Sequence, residues 1–314
     1  MKFYLLLCFA ISPWILLAQD STLVSCAEPK SHFKKIEFLF CQVPETQGFS
    51  HGICWSTTPE PSLFDQFNIF SPSLEEFKFS VNQLNPNTDY YFRLFRLFEN
   101  GEVRYEPSFV LQTLPEVHVG EYYQGGIVGF IFRKGDSLYV EGEQHGVILS
   151  PDELGYAYWG MYGQAIDGGT STRVGHGKEN TDAIVKQFLK TTASNTTINH
   201  NDASVLQIIQ PCAALLCQNY QNGGWSDWFL PSSNDLHLVF SNYDSLKVLN
   251  LSQTENYWSS SEVFFSWRLR KSKRRPTRSQ YRRAWNVRFH SSMLMTSAMT
   301  RKDKSSRVRA VRYF

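Results

Sequence analysis

Two patterns of apolar and polar positions divide the chain. Between residues 26 and 114, short runs such as EEFKFSV and YYFRLFRLF alternate aromatic or β-branched residues with polar ones, and Pro, Asn and Gly turns separate them. A period of two residues is typical of strands with one buried face. Beyond residue 120, strand-like runs such as GGIVGFIF and HGVILS are mixed with helical spacing. We therefore predict an all-β sandwich followed by an α+β domain over residues 120 to 314.

Helical spacing marks three segments of the second domain. NTDAIVKQFLK predicts a helix capped by Asn180 or Thr181, with one face formed by Ile184, Val185, Phe188 and Leu189. SVLQIIQPCAALLCQNY is helical with a break or kink at Pro211. SSNDLHLVF begins a third helix, capped by Ser232 or Ser233, and the strands AWNVRF and RVRAVRYF follow.

The segment LNPNTDYYFRL is the most specific signal of the first domain. Four residues fall at two-residue steps ahead of an alternating strand, where a sandwich places its tyrosine corner: Leu84, Pro86, Thr88 and Tyr90. ENG at 99 to 101 predicts a hairpin turn. With HGICWSTTPEPS upstream, the domain resembles fibronectin type III-like modules of secreted bacterial proteins. The resemblance implies a ligand-binding module or a spacer, and we favour the spacer.

The first residues predict export. The apolar run FYLLLCFAISPWILLA is interrupted by Ser12 and Pro13 and is shorter than the roughly 20 residues that cross a bilayer. We interpret residues 1 to 18 as a signal peptide, and no later stretch predicts a transmembrane helix. LVSC has the order of a bacterial lipoprotein signal, so a lipid anchor at Cys26 is an alternative. The expected location is extracellular, at the cell surface or in the envelope, including that of an outer-membrane lipoprotein.

The net charge of +2 conceals a strong asymmetry. From Arg268 onward the chain has 16 Lys or Arg and one acid, Asp303, whereas the remainder has 15 basic and 28 acidic residues. Such separation indicates a polyanionic partner, or contact between oppositely charged parts of the chain itself. The basic residues concentrate between positions 268 and 283, which contain nine of them and no acid.

This basic loop, with the aromatic residues near its ends, is the predicted ligand-binding site: Trp267, Arg268, Arg270, Lys271, Lys273, Arg274, Arg275, Arg278, Tyr281, Arg282 and Arg283. Like charges at this density repel one another, so we expect an extended loop. The planar fork of arginine suits sulfate, carboxylate or phosphate, and the two aromatic rings could stack on sugars. Predicted export favours an acidic polysaccharide over nucleic acid. A solvated loop without a partner is the alternative.

Motifs for catalysis and metals are weak, so we expect no catalytic residue, no cofactor and no metal. GHGKENT lacks the first glycine and the final Ser or Thr of a phosphate loop, and no serine lies in a G-x-S-x-G elbow. Nothing in the spacing of Asp152, Glu153, Asp227 and Asp235 supports paired carboxylates of a glycosidase. No CxxC pair occurs and the histidines are scattered.

Residues 223 to 236, GGWSDWFLPSSNDL, combine two tryptophans, an aspartate and a helix start. Asp227 is either a calcium ligand or a structural acceptor for an indole N–H or loop amides. Calcium takes six to eight oxygens and no Asp/Asn-rich loop is evident, so we favour the structural role. Pro231 suits a turn, and the tryptophans are large enough to anchor the loop.

Eight motifs occur in order over residues 125 to 314: GGIV, HGVIL, YWG, GHGKENT, DWFLPSSNDL, YWSSSE, AWNVRF and VRAVRYF. In this order they resemble the Lcl C-terminal domain family of exported bacterial proteins, formerly of unknown function, whose fold is similar to C-type lectins. The resemblance implies a binding module, glycan-binding in adhesins, with a scaffold of Trp225, Asp227, Trp228, Pro231, Tyr257 and Trp258. Formylglycine-generating oxidases share the fold but need two late cysteines, and none follows Cys217. The basic loop departs from the family pattern.

Together these features predict an exported, non-catalytic binding protein or adhesin that recognises an acidic glycan or another polyanion through the basic loop. The alternative is a structural surface or envelope protein whose basic loop docks on its own acidic surface or on anionic lipid. An enzyme on a lectin-like fold is the third and least favoured hypothesis.

Overall fold

A computed structural model describes residues 27–40, 48–70, 76–194, 212–263, 282–291 and 294–314. The chain divides into two compact units, one of Met1–Glu116 with Val140–Gln144 and one of Val117–Tyr139 with His145–Phe314. No helix in the described ranges has the length and apolar character needed to cross a membrane. The predicted signal peptide and Cys26 lie outside these ranges.

In the part of the first unit that the structure describes there are eight strands: β1 (Lys30–Ser31), β2 (Lys35–Phe40), β3 (Phe49–Ser56), β4 (Gln66–Phe70), β5 (Phe77–Asn82), β6 (Asp89–Phe98), β7 (Val103–Tyr105) and β8 (Phe109–Gln112). One sheet has the order β1-β2-β5 and the other the order β4-β3-β6-β7, with β8 also pairing with β6. Every pairing between these strands is antiparallel.

Alternating side chains from the two sheets form one core. In β2, Ile36, Phe38 and Phe40 are almost completely buried, as the period of two predicts. Phe38 meets Phe92 of β6 edge to face, with ring centroids 5.1 Å apart. The predicted all-β sandwich is therefore confirmed, and it is compatible with a fibronectin type III-like module.

The tyrosine corner forms where the sequence placed it. The Tyr90 hydroxyl accepts a hydrogen bond from the Asn85 backbone N–H at 3.0 Å. Leu84 lies in the core, and the Thr88 hydroxyl donates to the Pro86 carbonyl at 2.8 Å. These contacts fix the chain just before β6. The ENG segment closes the β6–β7 hairpin, with φ of +83° at Gly101.

Outside its undescribed segments, the second unit has nine strands: β9 (Tyr122–Tyr123), β10 (Gly126–Ile131), β11 (Gly146–Leu149), β12 (Tyr156–Tyr158), β13 (Tyr257–Glu262), β14 (Arg283–Ser291), β15 (Leu294–Arg301), β16 (Ser305–Arg307) and β17 (Val311–Tyr313). One sheet has the order β17-β11-β10-β9 and the other the order β12-β16-β13-β14-β15. The β13–β16 pairing is parallel.

The described residues of this unit also form three α-helices: α1 (Gly177–Ser194), α2 (Ala213–Gln218) and α3 (Ser233–Phe240). A 3-10 helix spans Tyr243–Leu249. The predicted cap of α1 is wrong, because the helix begins at Gly177, and Asn180 and Thr181 are its fourth and fifth residues. The Thr181 hydroxyl instead donates to the Gly177 carbonyl, and Leu189, assigned to the apolar face, is exposed. Pro211 lies outside the described residues.

Strand β13 is covered on both faces. Tyr257 packs with Phe240 and Phe289 in one apolar cluster, whereas its neighbour Trp258 packs with Trp159 in another. All six residues of β13 are buried. Because neither face of the strand meets solvent, the YWSSSE segment shows no alternation of apolar and polar residues. The unit combines helices with two sheets, and its lectin-like assignment stays a prediction.

Candidate functional site

The DWFLPSS segment is anchored inside the second unit. Trp228 is buried, and its indole N–H donates to the Trp225 carbonyl at 3.1 Å. The Pro231 carbonyl accepts from the Ser260 backbone N–H at 2.7 Å, which joins the loop to β13. Ser232 is the N-cap of α3, one of the two predicted positions.

Asp235 completes this helix start, a role that the sequence analysis missed. Its carboxylate accepts from the Ser232 backbone N–H at 2.8 Å and from the Tyr313 hydroxyl at 2.8 Å. Burial raises the pKa of Asp235, and these hydrogen bonds oppose that rise. The Ser-x-x-Asp spacing is a capping-box signal that could have identified it.

Asp227 binds an arginine from the far end of the unit. Arg312 donates to its two carboxylate oxygens, through Nε at 2.7 Å and Nη2 at 3.0 Å. Burial would raise the pKa of Asp227, but the hydrogen bonds and charge of Arg312 outweigh it and lower the pKa. The sequence predicts that Asp227 accepts hydrogen bonds from an indole N–H or loop amides. In the structure its carboxylate accepts them from the Arg312 guanidinium instead.

The guanidinium of Arg312 also supports Trp225. Its carbon lies 3.9 Å from the centroid of the Trp225 ring, in a cation–π stack. Nη1 of Arg312 donates to the side-chain oxygen of Gln124 at 2.9 Å and to the Gln124 carbonyl at 3.3 Å. Four hydrogen bonds and one aromatic ring therefore hold a guanidinium that is only 3% exposed.

Tyr257 and Trp258 lie inside the unit rather than at a surface. The Tyr257 hydroxyl accepts from the Ser252 backbone N–H at 2.8 Å. The Trp258 indole donates to the Ala157 carbonyl at 2.9 Å, and the Trp159 indole donates to the Ser259 carbonyl at 2.8 Å. Each buried polar atom of these rings therefore has a partner.

Most of the predicted basic loop lies outside the described residues, namely Trp267, Arg268, Arg270, Lys271, Lys273, Arg274, Arg275, Arg278 and Tyr281. The structure describes the two strands that flank it. The Val263 backbone N–H donates to the Arg283 carbonyl at 3.0 Å, so β13 and β14 close the base of the loop as a hairpin. Arg282 and Arg283 are exposed at this base.

Tyr162 lies against two arginines at the loop base. The guanidinium carbons of Arg282 and Arg301 lie 5.4 Å and 5.2 Å from its ring centroid. Arg301 is also paired with Asp303, whereas Arg282 has no carboxylate partner among the residues that the structure describes. Arg282 therefore offers a fixed cation beside an aromatic ring.

A buried ion pair lies next to this base. The Lys302 ammonium is inaccessible to solvent and donates to the Glu262 carboxylate and, at 2.9 Å, to the Gln164 carbonyl. It also lies 4.3 Å from the Trp159 ring centroid. Burial lowers the pKa of Lys302, and the charge of Glu262 opposes that change. Lys302 is thus part of the interior, although it belongs to the basic end of the sequence.

Other basic residues of this end are neutralised within the unit. Arg307 donates to both oxygens of Glu153 at 2.6 Å and to Glu255 at 2.6 Å. Arg309 donates to the carbonyls of Ser150, Pro151 and Leu249. Contact between oppositely charged parts of the chain, one of the two readings of the charge asymmetry, therefore occurs at these positions.

The first unit contains a cluster with metal-ligand chemistry. A ring nitrogen of His32 and one carboxylate oxygen each of Glu37 and Glu143 all lie within 4.8 Å of one another. The Lys35 ammonium donates to both carboxylates, at 2.7 Å to Glu37. Burial would lower the pKa of Lys35, but its bonds to Glu143 and Glu37 raise it. The lysine supplies the cation that two carboxylates need, so we interpret the group as an ion-pair cluster.

One serine–histidine pair is the nearest approach to nucleophilic machinery in the described residues. Ser297 Oγ lies 2.8 Å from His237 Nε2. Burial lowers the pKa of His237, which favours its neutral form. No described carboxylate orients the other ring nitrogen, as a triad would require.

Comparisons with known proteins give only weak likenesses. No protein-family model and no curated protein matches the chain. Among solved structures, it is similar to the fibronectin type III domain of human fibronectin type III domain containing protein 3, at 15% identity and a TM-score of 0.21, over 31% of this chain and 84% of that one. Chicken CNTN1 FN1-FN3 domains match at 16% identity and 0.21, over 28% and 29% of the two chains.

A cycloalternan-degrading enzyme from Trueperella pyogenes matches at 14% identity and a TM-score of 0.22, over 45% of this chain and 23% of that one. Scores this low carry no inference about function. The sandwich assignment rests on the observed strand pairing, and the functional argument rests on the side chains described above.

Proposed function

We propose that the protein is an exported, non-catalytic binding protein whose basic loop recognises an acidic polysaccharide or another polyanion. The lectin-like interpretation of the second unit and its place outside the cell belong to this proposal. The observation that carries it is the loop base, where Arg282 lies on Tyr162 without a described carboxylate partner and Arg283 is exposed. Anions contact such guanidinium groups by paired hydrogen bonds.

Several basic residues outside the loop are neutralised by carboxylates within the second unit, so the loop differs from the rest of this basic region. Lys302, Arg307 and Arg312 each bind a carboxylate within the second unit. These contacts use up part of the positive charge of this end, whereas the nine basic residues between positions 268 and 283 have no acid among them in sequence. A polyanion is the partner that such a segment attracts most strongly.

The test is retention of the full chain on a heparin-like resin. Changing Arg274, Arg275 and Arg278 to Glu is expected to abolish retention and leave the melting temperature nearly unchanged. Binding of the parent protein should fall by about 10³-fold between 50 and 200 mM salt if about six charges engage, because counterions are released.

A matched control separates the loop from net charge. Changing Lys34, Lys78 and Arg104 to Glu alters the net charge equally, at exposed positions of the first unit. This control should still bind the resin. Equal retention of the loop variant and the parent would refute the proposal, and equal loss in both variants would show unspecific charge binding instead.

A further inference from the structure

Trp225 is partly exposed to solvent, and its ring lies on a fixed support. The Arg312 guanidinium lies 3.9 Å from the ring centroid and therefore covers one face, and 36% of the residue remains exposed. Because Asp227 and Gln124 hold the guanidinium by four hydrogen bonds, the ring rests on a rigid base.

The backbone around Trp225 is fixed as well. Asn222 and Trp225 exchange backbone hydrogen bonds at 3.1 and 3.0 Å. The Asn222 side chain donates to the Gly125 carbonyl at 2.7 Å. Gly223 and Gly224 both have positive φ, which favours glycine, and a Cβ at Gly223 would lie 2.8 Å from the Cα of Gly125. A ring ordered in this way loses little entropy when a ligand stacks on it.

Polar groups surround the exposed ring. Asp227 has a side chain that is 42% exposed and ionised at neutral pH, so its oxygens can accept further hydrogen bonds. Tyr122 is 62% exposed, and its hydroxyl lies 3.5 Å from the position that a Cβ at Gly223 would occupy. A partly exposed indole in the same loop region as a carboxylate and a hydroxyl matches a sugar ring, which has an apolar C–H face and polar edges.

We propose that Trp225, Asp227 and Tyr122 form a binding site for a neutral pyranose, separate from the basic loop. The ring of the sugar stacks on the side of the Trp225 ring away from Arg312, and its hydroxyls donate to Asp227. The paired charges of Asp227 and Arg312 cancel, so this pair does not attract an anionic sugar. This site goes beyond the proposed function and does not depend on the basic loop.

The size of the aromatic surface favours a sugar over a protein partner. The exposed parts of Trp225 and Tyr122 amount to about 200 Å² of side-chain surface. A stable protein interface buries about 800 Å² on each partner. One or two sugar rings fit the smaller area.

The test uses isothermal titration of the full chain with cellohexaose, xylohexaose and chitohexaose. At least one of them is expected to bind, and Trp225→Ala should weaken that binding by at least about tenfold, the loss that one aromatic stacking contact produces elsewhere. Trp225→Phe, which keeps a flat ring over Arg312, should retain more affinity. If Trp225→Ala does not fold, Trp225→Phe replaces it in the test. The melting temperature of each variant shows whether it is folded.

Two controls make the outcome decisive. Phe64→Ala removes a fully exposed aromatic residue of the first unit and should leave binding unchanged. The Glu variant at Arg274, Arg275 and Arg278 should keep neutral-sugar binding even if it loses the heparin-like resin, so failure of one proposal does not imply failure of the other. Absence of binding to all three probes, or equal binding by the parent and Trp225→Ala, would overturn the inference. A heparin oligosaccharide that requires Trp225 would also overturn it.

Discussion

Two arginine–aspartate pairs in the second unit show how burial determines what one ion pair contributes to the free energy of unfolding. Arg312 is almost completely buried and depends on Asp227, whereas the Arg301 side chain is 48% exposed and binds Asp303 through Nε at 2.9 Å. A buried charge that loses its partner cannot be hydrated, whereas an exposed charge can form hydrogen bonds with water. The two contacts have similar geometry, so they form a matched comparison.

Asp227→Asn is expected to lower the free energy of unfolding by about 1–3 kcal/mol, because the Arg312 guanidinium stays buried without a charged partner. Asp303→Asn should cost about 0–1 kcal/mol. Urea unfolding of both variants measures the difference. Equal losses would contradict the structural role that we assign to the Arg312–Asp227 pair.

The same pair predicts a pH dependence. Folding lowers the pKa of Asp227 below its usual value of 3.8, so the ionised form stabilises the folded protein. This contribution is complete above the unfolded pKa and is lost as the pH falls through the folded pKa. The stability difference between the parent and Asp227→Asn should therefore be constant near neutral pH and shrink below about pH 4. A difference that grows on acidification would contradict this sign.

At the scale of elements, the hairpin of β13 and β14 carries the basic loop without depending on it for its pairing. Tyr257 pairs with Val287, Trp258 with Asn286 and Glu262 with Ala284. The Val263–Arg283 hydrogen bond then closes the hairpin. Both strands also have other neighbours, β16 on one side and β15 on the other, so the sheet fixes their positions.

Replacing residues 264 to 281 by Asn-Gly is therefore expected to preserve the fold. A shorter loop loses less entropy on closure, which should raise the free energy of unfolding by about 1–2 kcal/mol. The shortened protein should also fail to bind the heparin-like resin. Thermal unfolding and resin retention measure the two effects, and a protein without a cooperative transition would show that the loop is required for folding.

Local signals in the sequence predicted local structure well. Tyr90 and Ser232 lie where the tyrosine corner and the helix cap were expected, because each depends on residues within a few positions. The start of α1 was missed, since the residue before it, His176, is not a Ser, Thr, Asp or Asn that would signal a cap. The Asp227–Arg312 pair joins positions 85 apart, and no period or spacing encodes such a contact. For the same reason, nothing in the sequence separated the buried Lys302 from the exposed basic residues.

At the scale of the whole molecule, the two units differ in how they use charge. The first unit confines an ammonium group among carboxylates around Lys35. In the second unit, Lys302, Arg307 and Arg312 form internal ion pairs. Arg282 and Arg283 are exposed at the loop base. A net charge of +2 therefore says little about the local field that a ligand meets.

A fragment of residues 120 to 314 is expected to fold alone. It contains β9 to β17, and both apolar clusters of the second unit lie within it apart from the single residues Val117 and Val119. Circular dichroism should show one cooperative thermal transition. A full chain that melts cooperatively beside a fragment that does not would contradict the predicted division at residues 114 to 120.

The position of β17 has a consequence for synthesis. Its residues Val311–Tyr313 pair with β11, about half the chain earlier, and Val311 also bridges to Phe229. Until these residues leave the ribosome, β11 presents an open edge and Asp227 lacks its arginine. The second unit can therefore complete its fold only after Val311–Tyr313 have left the ribosome. A stop codon before Val311 would release a chain with an uncovered sheet edge, which is a substrate for proteases and chaperones.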